Sequence, residues 1–221
     1  DEERKNFATD DAKLLSPDYN LETDDPQAAL AARGMMNIAV HQTSNAVAKL
    51  AFEMRLDQIA NDPSLPKQIL VTAGGVGAGK SYAIDNNPQA TALKQQSSAV
   101  WDSAGEQNST ELPWVIAAAK RRGIEVAVVY VHRRPDQSWE NMKFGVIPRA
   151  AKTGRMVDAR LHADSYAEGA RNFDAVHQQL ANDPNVKFVV IDATGDAPTQ
   201  IDRLPQSALD RTDHIGLLRH P

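Results

Sequence analysis

Gly74, Gly75, Val76, Gly77, Ala78, Gly79, Lys80 and Ser81 have the types and spacing of a Walker A loop, with Gly74, Gly79, Lys80 and Ser81 at the fixed positions. Successive main-chain N–H groups can turn inward there to cup an anion, and side chains on the glycines would block the approach. The start of a following helix adds orphan N–H donors and a positive dipole end. Lys80 would then reach the β- and γ-phosphates, and the Ser81 hydroxyl would ligate Mg²⁺. A bare glycine-rich turn explains the glycines but not the lysine and hydroxyl after them. The pattern points to a nucleoside triphosphate, ATP or GTP, bound with Mg²⁺.

Phosphoryl transfer then requires an acid near the acceptor and cations over the γ-phosphate. Asp102 ends a short apolar run and is the first choice, as general base or as a Mg²⁺ ligand through water. The competing reading is a strand-end carboxylate capping the turn after it. Asp192 has the same local form, but Thr194-Gly195 makes an ordinary turn of it, and Asp85 reads as a solvent-exposed helix end. Arg149 and Arg155 lie on a Gly- and Lys-containing segment suited to a lid, or to a solvated basic face. Arg133, Arg134, His41 and Arg55 read as structural or peripheral groups, and His162 as a satisfied surface histidine.

Gln68 to Ala73 is short and apolar enough for one buried strand ahead of the loop, and a helix follows from Ser81 until the breaker Asn86-Asn87-Pro88. Residues 98–102, 124–131 and 186–192 are the other strands, the second apolar enough to be buried on both faces. Helices are expected over 29–33, 36–60, 112–122, 164–182 and 206–211, with a helical turn in 89–97 and shorter pieces from Asp136 and Ile147. Alternating strands and helices imply an α/β fold, a P-loop NTPase-type, mainly parallel sheet with helices on both faces. Ligands of such sheets bind beyond the carboxyl ends of the strands, which places the loop, Asp102, residues 132–134 and Asp192 on one edge.

The bulk composition is that of an ordinary globular protein: 221 residues, 42% hydrophobic, 24% charged and no cysteine. A net charge of −5 gives no field favouring nucleic acid, so a strand-binding role is not expected. No apolar run approaches the roughly 20 residues of a membrane-spanning helix. The missing cysteines exclude disulfides and thiolate zinc sites. Residues 1–24 are acidic and polar, loosely ordered unless they dock on the core. The expected division is an N-terminal extension 1–35, a kinase-like α/β domain 36–195 and a C-terminal tail 196–221. Starting at Asp1 rather than Met, the chain reads as an excised or trimmed piece.

Leu70 to Ser81 resembles the Walker segment of zeta-toxin-like kinases. So do Tyr130-Val131-His132-Arg133-Arg134-Pro135, Gly145-Val146-Ile147-Pro148-Arg149-Ala150 and Thr153-Gly154-Arg155-Met156-Val157. The helix carrying His41 and Phe52 is similar to the one that precedes the loop in that family. The resemblance implies a cytoplasmic phosphotransferase acting on a hydroxyl of a small nucleotide-like metabolite, such as a UDP-amino sugar or NAD. It implies Lys80 and Ser81 in the phosphate and metal roles, Arg149 and Arg155 as lid arginines, and an antidote or larger parent protein as partner. Two departures accompany it. Val76 stands where a proline is common, and only residues 86–97 separate the loop helix from the next strand, where the prototype has an extra strand bearing its base. On the resemblance Asp102 corresponds to an acidic substrate contact, whereas the residues alone make it the base. The alternatives are a nucleotide-binding module that has lost catalysis, or a polynucleotide kinase.

Overall fold

The computed structural model describes residues 5–103, 110–134, 137, 140, 142–154, 157, 159–195 and 197–209. Its centre is the strand that leads into the glycine loop. This strand, β2 (Gln68–Ala73), is buried at all six positions, as expected of an element covered on both faces. Beside it lie β3 (Val100–Asp102) and β4 (Glu125–His132), and β5 (Val186–Asp192) follows β4. Two short strands complete the edges, β1 (Asn6–Phe7) and β6 (Thr199–Ile201), giving the order β1-β3-β2-β4-β5-β6. Every pairing is parallel except β5 with β6. From β2 the chain goes to one neighbour, β3, and then crosses to the other, β4, so the order reverses at the loop-bearing strand. Such a reversal leaves a crevice at the carboxyl ends, where ligands bind on α/β sheets.

Alternation along the strands divides the core in two. Ile69 and Val71 of β2, Val126 and Val128 of β4 and Trp101 of β3 face one side. There they meet α3 (His41–Asn61), α6 (Glu111–Lys120) and the second half of α8 (Ala159–Leu180). Leu70, Ala127, Val129 and Val131 face the other side, under α4 (Lys80–Asp85) and α5 (Pro88–Gln96). Among the described residues the remaining helices are α1 (Thr9–Lys13), α2 (Pro26–Met36), α7 (Ile147–Thr153) and α9 (Gln206–Leu209), with a π-helical turn at Met142–Val146 before α7.

Several expectations change in detail. The acidic N-terminal segment docks: β1 pairs with β3, and Phe7 packs edge-on against Phe52 of α3 at 5.5 Å between ring centroids. Phe52 in turn meets Trp101 at 5.0 Å, and Trp101 meets Trp114 of α6 at 5.5 Å. A buried aromatic contributes about 2 to 3 kcal/mol over exposure, so this cluster offsets the ordering of a polar segment. The helix expected over 29–33 is longer: α2 runs through Gly34 to Met36 and starts at a cap, Asp25 accepting the Gln27 N–H with Pro26 at the first position. The breaker Asn86-Asn87-Pro88 ends one helix and starts the next, because the Asn87 side chain caps the Ala90 N–H at 2.9 Å. What was expected as a turn within 89–97 is therefore a helix. The tail supplies β6, which its polar sequence did not announce, because an edge strand needs only backbone pairing along one side.

Candidate functional site

The loop leaves β2 through Gly74, whose φ of +146° only glycine adopts readily; a Cβ there would lie 2.5 Å from the Val131 carbonyl oxygen on β4. The Ala78 N–H closes a turn onto the Gly75 carbonyl at 3.0 Å. The Val76 N–H donates to Ser165 Oγ of α8 at 2.9 Å. Among the described residues no acceptor takes the N–H groups of Gly77, Gly79, Lys80 or Ser81. Four main-chain donors without partners, at the first turn of a helix, are the chemical description of an anion cradle.

Lys80 is mostly buried and its Nζ lies 3.4 Å from the Gly74 carbonyl oxygen. The same Nζ stands 3.6 Å from Asp102 Oδ1. Asp102 is about half exposed, and the Thr72 hydroxyl of the adjacent strand donates to that oxygen at 2.6 Å. The parallel register opposes Thr72 to Asp102, which is why two residues far apart in sequence meet at the strand ends. A cavity of about 850 Å³ opens over them and takes in Val76, Gly77, Ser81 and Arg149 of α7. Arg155 lies outside the described residues.

The far wall of this cavity was not foreseen. It carries Asp10 and Lys13 of α1, Asn37, His41 of α3 and Glu111 of α6. Lys13 is buried, its ammonium 2.8 Å from Asn37 Oδ1 and 3.0 Å from Asp10 Oδ1. Glu111 is buried and accepts the Ser103 hydroxyl at 2.7 Å. Burial and the neighbouring Lys13 push the His41 pKa below its ordinary value, against the opposing pull of Asp10 and Glu111. The only sequence sign of this wall was the place of His41 on the helix before the loop; isolated polar residues in a polar segment carry no pattern.

The other candidates stand elsewhere. Asp192 Oδ1 accepts the Thr194 N–H at 2.9 Å, the turn its sequence suggested. Asp85 pairs with Lys94 at 2.9 Å, Arg133 binds the Ala193 carbonyl, and Arg55 binds the Ser98 carbonyl. His162 is not a surface histidine: it is fully buried on α8, edge-on to Tyr166 at 5.1 Å, and burial lowers its pKa to about 4. Helical periodicity gave α8 a buried face, but not the loop that lies against Ser165 and Tyr166.

A glycine loop joining a central parallel strand to a helix, with its lysine beside the carboxylate of the next strand, defines the P-loop class of α/β proteins. The zeta toxin family model matches residues 87–204, more than half of the chain, and the chain belongs to that family. The matched stretch begins beyond the phosphate loop, so loop and family speak for a P-loop phosphotransferase class separately. No curated protein sequence matches the chain. A solved structure described as the crystal structure of the AvrRxo1-ORF1:-ORF2 complex, native, is similar with a TM-score of 0.49 at 12% identity, over 91% of this chain and 79% of that one.

Proposed function

We propose that the protein transfers the γ-phosphoryl group of ATP or GTP to a hydroxyl of a small nucleotide-like metabolite, such as a UDP-amino sugar. The observation that carries this reading is the Lys80–Asp102 pair at 3.6 Å on the wall of a cavity that also holds Ser81 and Arg149. The amides of Gly77, Gly79, Lys80 and Ser81 would hold the polyphosphate and Lys80 its outer oxygens. Asp102, oriented by Thr72, would accept the proton of the attacking hydroxyl. Arg149 and Arg155 would neutralise charge on the transferred group.

Magnesium fits this donor set. Among the described residues no group of three or more His, Asp or Glu converges as a metal site. An ion held by one hydroxyl, one carboxylate through water and substrate phosphates is the arrangement Mg²⁺ favours. Ser81 and Asp102 would be its protein partners, and bound there it would offset phosphate charge.

Among the described residues no helix is long and apolar enough to cross a membrane. Membership of the zeta toxin family supports toxin character, with cytoplasmic action and an antidote partner as its extension. The test incubates the protein with γ-labelled ATP, Mg²⁺ and a metabolite extract. A labelled small molecule is expected with the wild type and none with Lys80→Ala. Nucleotide-dependent melting shifts without any transfer would instead favour a nucleotide-binding module that has lost catalysis.

A further inference from the structure

The loop is held from outside by α8, none of whose described side chains lines the cavity. Ser165 is fully buried. Its hydroxyl proton goes to the His162 carbonyl of its own helix at 2.7 Å, so its oxygen faces the loop as an acceptor and takes the Val76 N–H at 2.9 Å. The next residue, Tyr166, lays its ring on Gly75: a Cβ at Gly75 would sit 2.6 Å from Cδ2 and 2.7 Å from Cε2 of that ring. His162 backs the ring edge-on. The first half of the loop is thus gripped by one hydrogen bond and one flat contact, while the four amides of its second half find no partner among the described residues.

We propose that Ser165 and Tyr166 are positioning residues that preset the phosphate loop, by binding the Val76 amide and by filling the space above Gly75. An amide pinned outside the cradle cannot compete with it, and a loop already ordered loses less conformational freedom when phosphate arrives. This rests on the nucleotide reading above for its consequence, but the anchor can be measured without it.

The experiment titrates Mg·ATP calorimetrically into wild type, Ser165→Ala, Ser165→Thr and Tyr166→Leu. Amide hydrogen exchange is followed in the ligand-free proteins. Ser165→Ala should bind about tenfold more weakly, which is about 1.4 kcal/mol, and Tyr166→Leu should weaken binding in the same direction. Ser165→Thr, which restores the hydroxyl, should recover most of the loss. Exchange at Val76 should accelerate in Ser165→Ala while the β4 amides keep their protection. Equal affinity of wild type and Ser165→Ala, or unchanged exchange at Val76, overturns the proposal. So does a uniform loss of protection across the core, which would mean ordinary packing rather than positioning. If the wild type itself binds no Mg·ATP, the nucleotide reading falls, and the exchange data alone decide whether the anchor exists.

Discussion

Asp102→Asn separates binding from chemistry at this site. The carboxylate stands 3.6 Å from the Lys80 ammonium, an ion pair that must loosen if Lys80 is to take phosphate as proposed. In vacuum-like surroundings such a pair would be strong, but half of the Asp102 side chain is exposed, and pairs of that kind contribute about 0.2 to 1 kcal/mol. Removing the charge should therefore free Lys80 and tighten metal-free ATP by roughly 1.4- to 5-fold. Asparagine keeps a side-chain oxygen that can still accept the Thr72 hydroxyl, so the strand ends should not move. Transfer to any acceptor, in contrast, loses its base and should fall by about 10² to 10⁴. Calorimetry with ATP in EDTA measures the first effect, and γ-labelled ATP with Mg²⁺ and extract measures the second. Retained transfer at the wild-type rate would refute Asp102 as base. Weaker binding of metal-free ATP would refute the pairing as a restraint on Lys80.

Other consequences follow from named contacts. Gly74→Ala pushes a Cβ to 2.5 Å from the Val131 carbonyl oxygen, a backbone atom that cannot step aside; we expect a loss of about 1 to 3 kcal/mol in urea unfolding and of nucleotide-dependent melting shifts. Phe52→Ala removes the ring that joins Phe7 to Trp101 and should cost about 3 to 5 kcal/mol, with a change in tryptophan emission; a loss below about 1 kcal/mol would refute the cluster as the anchor of β1. Burial lowers the His162 pKa from 6.5 to about 4, so the unfolded chain takes a proton that the folded one refuses. Its contribution is complete above pH 6.5, declines as the pH falls toward 4 and is spent below that. At 1.36 kcal/mol per pH unit this amounts to about 2 kcal/mol between pH 7 and pH 5. Urea midpoints should show a steeper acid loss for wild type than for His162→Gln, and parallel curves would contradict the assignment.

Local pattern made much of this molecule legible. The strand, glycine loop and helix of residues 68–85 are encoded by adjacent residues, because a phosphate cradle and a buried strand both depend on near neighbours along the chain. The β4 run declared its double-sided burial in the same way. These features fixed the α/β class and pointed to triphosphate chemistry before any tertiary contact was known.

Only the tertiary structure decided what surrounds the loop. Thr72 and Asp102 meet because parallel pairing sets their register, and that register is a property of two strands together. Lys13, Asn37, His41 and Glu111 share a wall because β1, which leads into α1, docks through Phe7 onto an aromatic cluster assembled from three other elements. Ser165 reaches an amide 89 positions away. Periodicity along a helix tells which side is buried but carries no record of what will lie against it; that is settled when the sheet closes and the helices find their places across its two faces.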